Sequence, residues 1–177
     1  MESSSMTPVD WAKRPVLEKY ANFNGRAPRA EYWWFFLAMV IASIVIGIIE
    51  SILGLKGMVL GLYGPLSLLL WLAVIVPSIA VGVRRLHDTN RSGWWILLPL
   101  IPYCLALVLG GAAVMGAAAG SSAGMMAGAG LAGIFLLIGG ICAIVLLVFM
   151  VLPGTPGDNR YGANPYGEGG GTAVAAE

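Results

Sequence analysis

The sequence predicts an all-α membrane protein with four transmembrane helices and a short N-terminal interfacial helix. Composition is the first reason: of 177 residues, 58% are hydrophobic and 11% charged, where a soluble domain carries roughly a quarter charged residues. Mean hydropathy is +0.83. A soluble fold of this size keeps too much surface in water to hide so many apolar side chains. The second reason is arrangement. The apolar residues gather in runs long enough to cross the roughly 30 Å hydrocarbon layer as helices. The third is the placement of arginine and lysine beside those runs, which matters more than the net charge of +1.

Residues 1–31 form a polar N-terminal segment. Its serine-rich start, residues 1–7, is expected to be disordered. Residues 8–20 place Val16, Leu17 and Tyr20 on one helical face and Lys13, Arg14, Glu18 and Lys19 around the other. That pattern suits an amphipathic helix in the headgroup layer, with a solvated helix as the alternative. The first long apolar run exceeds the h-region of a secretory signal, so it is read as an uncleaved span.

The transmembrane domain covers residues 32–152. Its first span, 32–53, opens on Tyr32, Trp33, Trp34, Phe35 and Phe36, an interfacial aromatic girdle. Lys56 stands alone in the connection that follows. The second span, 58–83, contains Pro65 and Pro77, both read as sites of kinking. Residues 84–93 (RRLHDTNRSG) are read as the polar loop before Trp94 and Trp95, and the third span covers 94–116. The fourth, 129–152, ends at Pro153 and Gly154, and a glycine-rich tail occupies 153–177. Between the last two spans, residues 110–133 are almost wholly Gly, Ala, Ser and Met, with Gly116, Gly120, Gly124 and Gly128 at a four-residue period. That period suits a glycine groove on a packed helix. Glycine's helix cost of about 1 kcal/mol each favours instead an external linker turning near Gly120, Ser121 and Ser122.

Lys13, Arg14, Lys19, Arg26 and Arg29 precede the first span, and Arg84, Arg85 and Arg91 lie between the second and third. Two spans separate the groups, so they share a side. The positive-inside rule makes that side cytoplasmic, and four spans return Arg160 and the tail there. Both termini are expected in the cytoplasm.

Three segments on that side combine Asn, Arg and Gly. The first holds Asn24, Gly25, Arg26, Arg29 and Glu31. The second holds Arg84, Arg85, His87, Asp88, Asn90, Arg91 and Gly93. The third holds Asp158, Asn159, Arg160, Tyr161 and Gly162. The strings FNGRAPRAEYWW, RRLHDTNRSGWW and PGTPGDNRYGANP, in this order, resemble the bacterial inner-membrane family called domain of unknown function 805. The resemblance covers about residues 16–165. It implies a small multi-spanning bacterial inner-membrane protein and brings no activity with it. The Gly/Ala segment is longer than the family's usual stretch between the second and third motifs and resembles an insertion.

Guanidinium groups at a membrane surface can fork onto phosphates, and anionic lipid headgroups are the nearest ones. Asn24, Arg26, Arg29, Glu31, Arg84, Arg85, His87, Asp88, Asn90, Arg91, Asn159 and Arg160 are therefore the candidate anion site or cap. Glu31, Asp88 and Asp158 could equally neutralise arginines whose role is to orient the helices. Arg84, Arg85 and Asp88 are expected near Arg26, Arg29 and Glu31, joined by Asn159 and Arg160.

Other chemistries find less support. His87 is the chain's single histidine, too few for a zinc set with cysteines at another depth. His87 beside Asp88 suggests a general base, but no nucleophile is evident beyond Thr89 or Ser92 of the same loop. Cys104 and Cys142 sit in apolar runs and are read as buried small hydrophobes. Glu50 is the one charge well inside a span, so a small transporter or channel subunit is the alternative function. The arginine-rich loops are too short and membrane-bound for nucleic acid. A non-enzymatic protein is expected, without cofactor or metal. Its expected partners are membrane lipids, with a second copy or another membrane protein as further candidates.

Overall fold

The computed structural model describes residues 6–59, 61 and 63–166. Much of the serine-rich start and the end of the glycine-rich tail lie outside the described residues. The elements are α1 (Pro8–Leu17), α2 (Arg29–Ile52), α3 (Pro65–Asp88), a 3-10 turn (Gly93–Leu97), α4 (Leu100–Ala118) and α5 (Ser122–Val151). Four stretches are long and apolar enough to cross a membrane: α2, α3, α5, and the 3-10 turn with α4. The chain divides into two compact units, one running to Ser92 and resuming at Pro153, the other Gly93–Leu152.

Burial is inverted relative to a soluble protein. The apolar windows of the four stretches bury only 11–22% of their residues. The largest fully buried side chains include Arg84, Arg85, Glu31, Glu50 and Asp88. Leucines and isoleucines facing outward are stable where the solvent is hydrocarbon, while charge is sheltered inside.

In the first unit, α1 begins with a reciprocal cap. Asp10 N–H donates to the Thr7 hydroxyl, and the Asp10 carboxylate accepts from Thr7 N–H and Oγ1. Those bonds, the Thr7 hydroxyl's first, hold the Asp10 carboxyl below its ordinary range. The helix stops at Leu17, short of residue 20, and the expected apolar face is divided. Val16 packs toward the cluster of Ala27, Phe35 and Val81, whereas Leu17 is exposed. Tyr20, beyond the helix, donates its hydroxyl to the Ala73 carbonyl of α3 at 2.7 Å.

The second span also departs from the sequence reading. Val59 and Tyr63 exchange reciprocal backbone bonds, and α3 starts at Pro65 rather than 58. Pro65 opens the helix, where its missing N–H has no cost; only Pro77 lies inside. At the other end, α3 continues through Arg84 to Asp88, so half of the expected polar loop is helix. Hydropathy placed that boundary at the first charge, but Arg84, Arg85 and Asp88 are buried and keep the backbone helical.

Glu50 has a structural role at the opposite end of α2. The N-cap of α3 is Gly64, which offers no side chain. Glu50 takes that place, accepting from Ser67 N–H at 2.7 Å and from Ser67 Oγ at 2.5 Å. A carboxylate at a helix N-terminus satisfies the free donors and meets the positive end of the dipole. A Cβ on Gly64 would collide with that carboxylate.

The second unit is a hairpin of α4 and α5. Its turn falls where expected, with Gly120 at φ +73° and the Ser121 hydroxyl accepting from Gly124 N–H at 3.1 Å. The linker reading does not hold: helix runs to Ala118 and resumes at Ser122 rather than 129. Close backbone approach explains it. A Cβ on Gly116 would lie 2.9 Å from the Gly124 carbonyl carbon, and one on Gly128 would lie 2.8 Å from Ala113 N. Dispersion across that contact offsets the intrinsic helix cost of glycine.

Candidate functional site

The three polar motifs, the second as far as Ser92, belong to the first unit and meet at the C-terminal end of α3. Helix α3 supplies Arg84, Arg85, His87 and Asp88; the approach to α2 supplies Arg26 and the first turn of α2 supplies Glu31; residues 154–166 close over them. A helix end leaves its last carbonyls without intrahelical donors, and here the turn that follows and the other two motifs provide them. The Leu86 carbonyl accepts from Thr89 N–H and Arg91 N–H, and the Asp88 carbonyl from Thr155 N–H at 2.8 Å. The His87 carbonyl accepts from Asn159 Nδ2 at 3.0 Å. Ala27 N–H donates to the Arg84 carbonyl at 3.0 Å. Gly25, at φ +82°, turns its carbonyl toward His87 Nδ1, 3.2 Å away; that contact requires the proton on Nδ1.

The charges follow the same plan. Arg26 Nε donates to Asp88 Oδ1 at 2.9 Å, Nη1 to the Gly157 carbonyl at 2.6 Å, and Nη2 to the Thr155 carbonyl at 2.7 Å. Arg85 donates to Asp88 Oδ2. Arg84 Nη1 donates to Glu31 Oε1, and Arg14 Nη1 lies 3.5 Å from Glu31 Oε2. A Cβ on Gly154 would strike the Asp88 carboxylate, so only glycine fits where the third motif crosses α3.

Buried ions must be paired and hydrogen-bonded to be tolerated. The buried set at this end of α3 holds three guanidinium groups (Arg26, Arg84, Arg85) and two carboxylates (Glu31, Asp88), Glu50 being buried at the other end of α2. Three against two leaves one positive charge in surplus, and Arg14 adds a further partly buried cation. Arg84 Nε and Nη2 have no hydrogen-bond partner among the described residues. Lys19 is half-buried beside this group, and its pKa is lowered by burial first, with Arg14 and Arg84 pushing the same way and Glu31 opposing.

At the rim, the His87 and Tyr161 rings stack 3.9 Å apart and 3° from parallel. The Arg160 guanidinium lies over the same tyrosine ring at 4.7 Å and donates to the Asn90 carbonyl at 3.2 Å. Arg91 Nη1 donates to the Thr89 carbonyl. Arg29 and Asn24 are exposed. Arg29 joins only through its backbone N–H, 3.3 Å from the Tyr166 hydroxyl, and Asn24 through its own N–H to Asn22 Oδ1. The Asp88 carboxylate is taken by Arg26 and Arg85, so it does not orient His87 as a general base.

Sequence reasoning missed Arg14, Thr155, Gly154, Tyr161 and Tyr166 as members. The motif PGTPGDNRYGANP contained three of them, Gly154, Thr155 and Tyr161. Arg14 carried no signal beyond its charge.

The order of the three motifs along the chain is the feature a family model can test. The model described as "Protein of unknown function (DUF805)" matches residues 20–163. The chain belongs to the DUF805 family. The matched stretch holds every buried charge of the cap and begins after α1. Two proteins of Escherichia coli strain K12 are similar over nearly their whole length. "Inner membrane protein YhaH" is 34% identical over 157 residues, covering 89% of this chain and 97% of that protein. "Inner membrane protein YhaI" is 36% identical over 150 residues, covering 85% and 91%. No solved structure matches this DUF805 chain.

Proposed function

We propose that this chain is an inner-membrane protein whose three motifs form a cap at the cytoplasmic face and engage anionic lipid headgroups there. The names of the E. coli relatives support the location, and the arginine distribution supports the orientation, with both termini cytoplasmic. The observation that carries the reading is the surplus of guanidinium over carboxylate among the groups buried at this end of α3, three against two, with Glu50 buried at the far end of α2. Orienting the helices requires cations at the surface; it does not require excess positive charge under cover. A phosphate-bearing headgroup supplies the missing negative charge. Transport finds less support, because both carboxylate oxygens of Glu50 accept from Ser67.

Native mass spectrometry of the purified full chain tests the proposal, with phosphatidylglycerol and phosphatidylcholine offered in equal amounts. Preferential retention of phosphatidylglycerol is expected. The double variant Arg29→Gln, Arg160→Gln alters only the rim. At about 1 kcal/mol for each cation near the surface, it should weaken retention by about thirtyfold. Equal retention of both lipids by the wild-type chain would refute the headgroup assignment.

A further inference from the structure

Between α2 and α3 lies an apolar groove of about 430 Å³, within the range of ligand-sized cavities. Tyr32, Phe36 and Val40 form part of one wall, and Trp71, Val74 and Val81 part of the other. Two hydroxyls also face it. Ser43 Oγ donates to the Met39 carbonyl at 2.8 Å and Ser78 Oγ to the Val74 carbonyl at 2.6 Å, so both are satisfied by their own helices. The walls therefore present hydrocarbon. Tyr32 to Ile44 spans twelve residues, about 18 Å of helix, close to the roughly 15 Å depth of one leaflet.

The groove continues in register into the cap. On α3, Val74, Ser78, Val81 and Arg85 follow one another at spacings of four, three and four, the period of a single helix face. On α2, Arg29, Tyr32, Phe36 and Val40 lie on one face in the same way, at spacings of three, four and four. Arg29 is exposed and opens α2 one turn before Tyr32, the groove residue nearest the cap. An apolar slot one leaflet deep, with the exposed Arg29 guanidinium at the turn before its mouth, has the polarity of a single phospholipid. A symmetric second copy would bring its own Arg29 to the same place and set like charges against each other.

We propose that the α2–α3 groove holds an acyl chain of one anionic phospholipid, whose phosphate is gripped by Arg29 at the mouth. This rests on the cap being a headgroup site and adds to it a defined place for the chain. The test uses full-length protein in nanodiscs containing phosphatidylglycerol with a photoactivatable acyl chain, and maps the adducts by mass spectrometry. Adducts should concentrate on residues 36–44 and 70–78, several-fold above the lipid-facing residues 134–138 of α5. Val74→Trp fills the groove from one wall and Val40→Trp from the other. Each should reduce these adducts several-fold while leaving the preference for phosphatidylglycerol over phosphatidylcholine in place. Adducts spread evenly over all spans, or unchanged in both tryptophan variants, overturn the groove assignment. Copy-to-copy disulfides formed by Ser43→Cys in native membranes assign the groove to a second protomer and overturn it too. Loss of the headgroup preference in the wild-type chain is a separate result, and it sinks the cap reading itself.

Discussion

Tyr20→Phe removes a single hydroxyl, and the geometry around Pro77 sets the cost. In an unbroken helix the Ala73 carbonyl would accept from the N–H of residue 77, but proline has none and its ring pushes that carbonyl aside. The Tyr20 hydroxyl fills the gap at 2.7 Å. An unpaired carbonyl away from water costs about 1–3 kcal/mol. Tyr20 is 41% exposed, so the lower part of that range applies, about 1–2 kcal/mol. Pro77→Ala restores the missing donor. In that background Tyr20→Phe should cost less than about 0.5 kcal/mol, leaving a coupling energy of about 1 kcal/mol between the two positions. Reversible unfolding in mixed micelles, followed by tryptophan fluorescence, measures all four corners of the cycle. Equal costs for Tyr20→Phe with and without Pro77 would show that the hydroxyl does not serve the proline-freed carbonyl.

Two further outcomes follow from the packing. Asp88→Asn leaves Arg26 and Arg85 without their shared carboxylate and should destabilise by about 3–5 kcal/mol, read in the same unfolding assay; a loss below about 1 kcal/mol would mean the cluster is wet. Gly128→Ala and Gly130→Ala should have opposite effects on thermal stability. The first forces a methyl against Ala113, about 1–3 kcal/mol of overpacking, while the second meets open space and gains up to about 1 kcal/mol of helix propensity.

The legibility of the sequence varied with the range of the interaction. The convergence of the three motifs at the end of α3 was foreshadowed by residue type, because Asn, Arg and Gly beside a span suit helix ends. The exceptions are instructive. Arg29 and Asn24 share the motif yet stay exposed, since the turn at Gly25 directs Arg26 inward. Arg14, outside every motif, reaches Glu31 only because α1 packs on α2. Glu50 looked like a candidate for ion transport; its partner Ser67 lies in the next helix, and no local pattern connects them.

By itself the sequence determined the solvent. Long apolar runs with arginines at their ends can be stable only with lipid around the helices, and that follows from transfer free energy, which depends on composition and length. Tertiary structure decided where α3 ends, whether the glycine-rich stretch is helix or linker, and which charges pair. Each of those outcomes turns on a contact with a distant residue: Asp88 under Arg26, Gly128 against Ala113, Glu50 over Ser67. Local propensity cannot price such contacts, because the energy that settles them exists only once the chain has brought both partners together.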